Sequence, residues 1–275
     1  MENLSKMTDW MRKQIIEMAY HAGKNGAHLG SALSCVEIMA ALYGHVMNVT
    51  PDNILTPSHD VFIPSKAHCV LSYYTALAYC GFLSSDDLNT FEDNLSILPG
   101  HPICNLDKGI EFSGGSLGMG FSQGVGMALG MKQHNLSQRV FILLGDGECD
   151  EGANWEAAQA AAHYNLNNIV VIVDANKLQY DGSTNDIMSL RNLSDKFKSF
   201  GFYTKETDGN DISKLLSTFE DVFSSQDNKP AAIIANTVKG KGISFMENKK
   251  QWHHAVLTKE LYEAAMQELG GAYGI

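Results

Sequence analysis

Basic residues are scarce. Twenty Lys and Arg stand against 31 Asp and Glu, a formal net charge of −11 at pH 7. A nucleic-acid surface draws its affinity from clustered Lys and Arg, so that class of function is excluded. Small anionic ligands stay open if backbone amides and a metal carry the charge. Cysteines number five, an odd count without CxxC spacing, which suits a reducing cytoplasm and neither a disulfide framework nor a zinc site. No apolar run approaches the roughly 18 residues of a membrane span. The opening "MENLSKMTDWMRKQIIEMAY" lacks the unbroken apolar core of a signal peptide. The chain therefore reads as soluble and cytoplasmic, with no targeting segment.

A chain of 275 residues can bury one substantial core, and a single domain spanning 1–275 is expected. Apolar positions three and four apart predict helices over 8–22 and 34–47, separated by the glycine-punctuated loop "KNGAHLGS". Short apolar runs predict strands at 60–64, 139–145, 168–174, 202–206 and 231–237. Helical stretches are expected at 68–80, 118–133, 151–165, 189–199, 211–225 and 258–270. Strands alternating with helices, several of them almost continuously apolar, predict an α/β fold: a doubly wound, mostly parallel sheet with helices on both faces. Ligands of such sheets bind beyond the carboxyl ends of the strands.

One of those ends is "LLGDGECDEGANWEAA", residues 143–158, where a strand runs into Asp146, Glu148, Asp150 and Glu151. A cation site is one reading and an acidic, solvated loop is the other. Mg²⁺ takes one or two side-chain oxygens and leaves the rest of its shell to phosphate and water, so Asp146 alone could serve. Asn176 closes the next strand, "NIVVIVDAN", thirty residues after Asp146, the length of one β-α-β unit. Adjacent parallel strands would bring the two to one edge. In "FSGGSLGMGFSQGVGMALG", Gly114 to Gly118 suit a phosphate-cradling loop, while the later glycines suit close helix packing. Four histidine motifs, "GAHLG", "SKAH", "LPGHP" and "WHH", complete the candidates; any one alone is more often a surface or capping histidine than a catalytic one.

Together these segments are similar to the N-terminal, diphosphate-binding domain of transketolase. "GAHLGSALS", "FIPSKAHCVLSYYTALAYCGFL", "LPGHP", "GGSLGMGFSQGVGMALGMK", "GDGECDEGANWEAAQAAAHYNLNNIVVIVDANKLQYDG" and "KGKGISFMENKKQWHHAVL" stand in that family's order over about residues 8–270. The last segment most resembles the small-subunit, split form. The resemblance implies a thiamine-diphosphate-binding fold with thiamine diphosphate and Mg²⁺ (or Ca²⁺ or Mn²⁺ in its place). It implies Asp146, Asn176 and the main-chain carbonyl of Leu178 as metal ligands. Gly115, Ser116, Leu117, Gly147, Glu148, His68 and His253 would lie beside the cofactor, and His28, His68, His101 and His253 would do the catalytic work. Glu151 matches an acid at the contact between subunits; Glu148, with Asp150, is otherwise expected as a solvated or capping acid, and Cys149 carries little weight as a nucleophile.

The activity implied is transfer of a two-carbon ketol unit from a ketose, or ketose phosphate, to an aldose. The family's activating glutamate belongs to a pyrimidine-binding domain. That domain and the C-terminal domain are expected on a partner chain, in a heterotetramer of two copies of each. Three departures border the sugar site: Leu29 replaces the proline usual after the first histidine, Ala67 the glycine before the second, and His254 the glycine after the last. The α subunit of a 2-oxo-acid dehydrogenase's decarboxylating component shares GDG and Asn but leaves "SKAH", "LPGHP" and "WHH" unexplained. A deoxyxylulose-phosphate synthase is normally one long chain, and a degenerate regulatory subunit would have no need of intact Asp146, Asn176 and histidines.

Overall fold

The computed structural model describes residues 1–225 and 227–270, so the last five residues of the expected 1–275 domain lie outside the described residues. The elements run α1 (Glu2–His21), α2 (Leu29–Ser34), α3 (Val36–Ala41), β1 (Val61–Pro64), α4 (Val70–Tyr79), α5 (Ser85–Leu88), α6 (Gly120–Gln133), β2 (Val140–Gly145) and α7 (Gly152–His163). They continue through β3 (Ile169–Ala175), α8 (Thr184–Met188), α9 (Leu193–Ser199), β4 (Tyr203–Asp208), α10 (Ile212–Ser224), β5 (Ala231–Asn236) and α11 (Lys259–Glu268). The five strands form one sheet in the order β1-β2-β3-β5-β4, and all neighbours are parallel.

The apolar runs behave as strands because both sheet faces are covered. Along β2, Phe141 and Leu143 point into one core, with Met11, Ile15 and Phe219 from the helices of that face. Val140, Ile142 and Leu144 point into the other, with Phe121, Ala158 and Phe197. The same alternation sends Val170 and Ile172 of β3 one way and Ile169, Val171 and Val173 the other. Each such side chain, fully buried, contributes about 1.5–3 kcal/mol, so a one-residue slip in register would be severely penalised. α1 presents Leu4, Met7, Met11, Ile15 and Met18 at helical spacing to the first core, and the buried Arg12 on it pairs with Glu37 of α3 at 2.5 Å. Among the described residues no helix is long and apolar enough to cross a membrane.

The structure corrects the expected helix over 34–47. Helix begins earlier, at Leu29, breaks at Cys35 (φ −110°, ψ 16°) and ends in a wider turn over Leu42–Val46. At the break, side chains take up backbone carbonyls. The Ser34 hydroxyl bonds the Ser31 carbonyl and Asp174, and the Cys35 thiol reaches the carbonyls of Ser31 and Ala32. The interruption ties the start of the chain to the carboxyl end of β3.

Candidate active site

The carboxyl ends of β2 and β3 lie side by side, with Gly145 paired to Asp174. Asp146 and Asn176 follow them to the same edge. Asp146 is 5% exposed; its Oδ1 accepts from the Gly147 amide at 2.8 Å and its Oδ2 from the Lys177 amide at 2.5 Å. Burial, with Asp174 nearby, pushes its carboxyl up to about 6. The Asn176 carboxamide is fixed at both ends: Nδ2 donates to Asp174 at 3.1 Å, and Oδ1 accepts from the Leu178 amide at 3.1 Å. The Leu178 carbonyl accepts from Lys239 Nζ at 2.9 Å. One carboxylate, one amide oxygen and one main-chain carbonyl make a hard-oxygen set suited to Mg²⁺ or Ca²⁺. Asp146 forms no ion pair with Lys or Arg among the described residues, so a cation there would satisfy a buried charge.

Above this edge four imidazoles converge. The His28 ring centroid lies 5.6 Å from His68, 5.6 Å from His101 and 5.7 Å from His253, and His68 stacks on His253 at 5.1 Å. Burial, then the positive fields of His254, His101 and Lys239, lowers His28 to about 3. Burial followed by Lys239 does the same for His253, and burial with Lys66 holds His68 well below its ordinary value. All three are neutral at working pH. Lys239 Nζ sits 3.1 Å from His253 Nδ1; an ammonium can only donate, so neutral His253 keeps its proton on Nε2. Burial lowers Lys239 itself to about 8.

A cavity of about 380 Å³ unites the two groups. His28, His68, His101, His253, Asp146 and Asn176 line it, as do Gly115, Leu117, Gly147, Glu148, Glu151 and Leu178. Ser116 is exposed beside Gly115. A Cβ on Gly147 would stand 2.9 Å from Gln179 Cβ as well as 2.7 Å from its Oε1, so a side chain there would displace the Gln179 segment. Gly118 adopts φ +80° and packs on Glu151, where a Cβ would meet the Glu151 Cβ at 2.7 Å.

The expectation that Glu148 is a solvated or capping acid is overturned. It is 2% exposed, accepting from Ser65 Oγ at 2.5 Å and the Gly118 amide at 3.0 Å on Oε1, and from the Gly145 amide at 3.0 Å on Oε2. It thus ties the exit of β1, the entry to α6 and the end of β2 beneath the cavity. A turn over Gly147–Asp150 folds its side chain inward, which alternation of acids along a loop does not reveal.

Sequence reasoning also passed over Lys66, Asp174 and Lys239. Lys66 and Asp174 form an ion pair 1% and 0% exposed. Burial opposes both charges, but each is overcome by the other, so Lys66 is raised and Asp174 lowered. Asp174 also accepts from Ser34, Thr237 and Asn176, gathering α2, β3 and the exit of β5. The only available signals were an acid two residues before Asn176 in an apolar run, and lysines inside "SKAH" and "KGKG".

Comparison with known proteins places this geometry. The family described as "Transketolase, thiamine diphosphate binding domain" matches residues 6–273. The chain is 40% identical over 268 residues to one of the named subunits of the apulose-4-phosphate transketolase of Actinobacillus succinogenes, covering 98% of this chain and 96% of that one. It is 38% identical, over 97% of this chain and 96% of the other, to the 6-deoxy-6-sulfo-D-fructose transketolase subunit SqwG of a Clostridium species. The crystal structure of transketolase from Campylobacter jejuni superposes with a TM-score of 0.89 at 27% identity, over 98% of this chain but 43% of that chain. The chain thus spans less than half of that longer relative and nearly all of the two subunits.

Proposed function

This chain belongs to the transketolase family, and we propose that it is the N-terminal subunit of a split transketolase, moving a two-carbon ketol unit from a ketose or ketose phosphate to an aldose. The observation that carries this reading is end-to-end similarity to proteins named as transketolase subunits, joined to a cavity that sets a hard-oxygen edge beneath four imidazoles. On this reading residues 1–275 form one diphosphate-binding domain. The pyrimidine-binding domain, its activating glutamate and the C-terminal domain come from a partner chain in a heterotetramer, with Glu151 at the contact. The setting is the cytoplasm. The named relatives are all transketolases, which disfavours a 2-oxo-acid dehydrogenase or deoxyxylulose-phosphate synthase assignment.

The residues fit the cofactor. Asp146, Asn176 and the Leu178 carbonyl would hold Mg²⁺, or Ca²⁺ or Mn²⁺, and the metal with Gly147, the 115–117 segment and His68 would hold the diphosphate. Bound thiamine diphosphate supplies a carbon nucleophile and an electron sink for cleaving the ketose carbon-carbon bond. The protein's part is to place hydroxyls and move protons. His253 donates from Nε2 because Lys239 occupies Nδ1. His28 and His68, neutral through burial, can each accept a hydroxyl proton on one ring nitrogen while donating from the other. His101, exposed at the mouth, orients donor hydroxyls. Water is limited by the cavity's walls and by the partner that closes it.

The test is reconstitution. This chain, mixed with the product of the adjacent reading frame, thiamine diphosphate and Mg²⁺, transfers ketol units from at least one of several ketoses. Substantial turnover by this chain alone would sink the split-subunit reading.

A further inference from the structure

His254 is the one histidine of the cluster that does not line the cavity. The segment that carries it is pinned: Ala27 and Ala255 exchange both backbone hydrogen bonds, at 2.9 and 3.0 Å. That bridge sets the His254 ring edge-on to His28, centroids 4.5 Å apart and planes at 71°, closer than any of the other ring pairs His28 makes. The ring is nonetheless exposed, and none of its nitrogens has a hydrogen-bond partner among the described residues. A side chain held by packing, with no hydrogen-bond partner of its own among the described residues, is preorganised for a ligand group. His28, its neighbour, is partly open and His101 is exposed, and both line the cavity, so part of the cavity's rim lies on this side. A substrate chain too long for the interior has an exit past these rings.

We propose that His254 is a specificity-determining residue whose imidazole hydrogen-bonds the polar group on the sugar carbons that extend beyond His28 and His101. The inference rests on the ketol-transfer reading and deepens it. At this position the chain places a ring that can both donate and accept, which distinguishes a hydroxylated or phosphorylated chain end from a bare one.

The experiment uses the reconstituted complex with thiamine diphosphate, Mg²⁺ and one productive ketose, and compares glycolaldehyde, glyceraldehyde, erythrose and erythrose 4-phosphate as acceptors. His254→Ala and His254→Gly lower the ratio of kcat/KM for the four-carbon acceptors to that for glycolaldehyde by about tenfold, through KM, as loss of one hydrogen bond to a polar or charged group predicts. His254→Gln, which keeps a donor and an acceptor, recovers part of the ratio. Equal losses on all four acceptors mean a structural role and overturn the proposal, as does an unchanged ratio. A wild-type complex without ketol transfer refutes the ketol-transfer reading instead. In that event calorimetric titration of the complex with erythrose 4-phosphate decides: weaker binding by His254→Ala than by wild type supports the assignment, and equal binding overturns it.

Discussion

Replacing Glu148 by alanine removes the acceptor of three hydrogen bonds, from Ser65 Oγ, Gly118 N and Gly145 N, at a site 2% exposed. Each buried donor left without a partner costs about 1–3 kcal/mol. Burial also raises the Glu148 carboxyl above its ordinary range, so its charge is held at some expense that truncation relieves, and Ser65 can turn its hydroxyl elsewhere. The net loss is therefore nearer the low end of the sum, about 3 kcal/mol, or a fall in Tm of roughly 6–12 °C for a chain of this size. Glu148→Gln keeps Oε1 for Ser65 and Gly118 but turns an amide NH₂ toward the Gly145 amide, and loses about 1–2 kcal/mol. Urea denaturation followed by circular dichroism reads both. Because the carboxylate braces three loops under the cavity, thiamine diphosphate affinity of the assembled complex falls in the same order. Variants both within about 0.5 kcal/mol of wild type, the ordinary range for surface substitutions, would refute the bracing role.

Other outcomes follow from the same geometry. Lys66→Met leaves Asp174 charged and buried with Ser34, Thr237 and Asn176 as partial compensation. A loss of about 3 kcal/mol is expected, and urea denaturation that is unchanged contradicts the buried pair's importance. Asp146→Ala abolishes Mg²⁺-dependent cofactor binding by calorimetry. It leaves metal-free stability within about 1 kcal/mol, because the carboxyl it removes is one that burial disfavours; retained Mg²⁺ dependence counts against the metal assignment. His101→Ala raises KM for the donor ketose more than it weakens the cofactor, and the reverse split would reassign it. Stability of the metal-free chain falls between pH 7 and 5.5. His28 and His253 stay neutral in the folded state at about 3 while the unfolded imidazoles protonate near 6.5, so stability present above 6.5 drains as pH drops toward 3. That amounts to about 1 kcal/mol per histidine by pH 5.5, and Asp146, shifted to about 6, returns somewhat less than that. Stability rising with acid over that range would contradict it.

How much of this was legible depends on how local the cause is. "RVFILLG" and "NIVVIVDA" announce buried strands because a sheet covered on both faces needs apolar residues at every position, and β2 and β3 start and stop within a residue of the expected bounds. The spacing of Asp146 and Asn176 likewise encodes their meeting, since one crossover delivers neighbouring strands to one edge. By contrast, the break at Cys35 sits beside a serine whose acid partner lies 140 residues away. The insertion of β5 between β3 and β4 has no local signature either.

The amino-acid sequence by itself determined the parallel α/β sheet, the family and the residue types offered at the strand ends, because periodicity, turn glycines and motif spacing are properties of the chain alone. Tertiary structure decided which of those residues act together. Packing four loops around His28 makes histidines from 28 to 253 into one cluster, and burial turns Glu148 from a loop acid into a brace. Desolvation and through-space fields depend on neighbours that only the folded chain supplies.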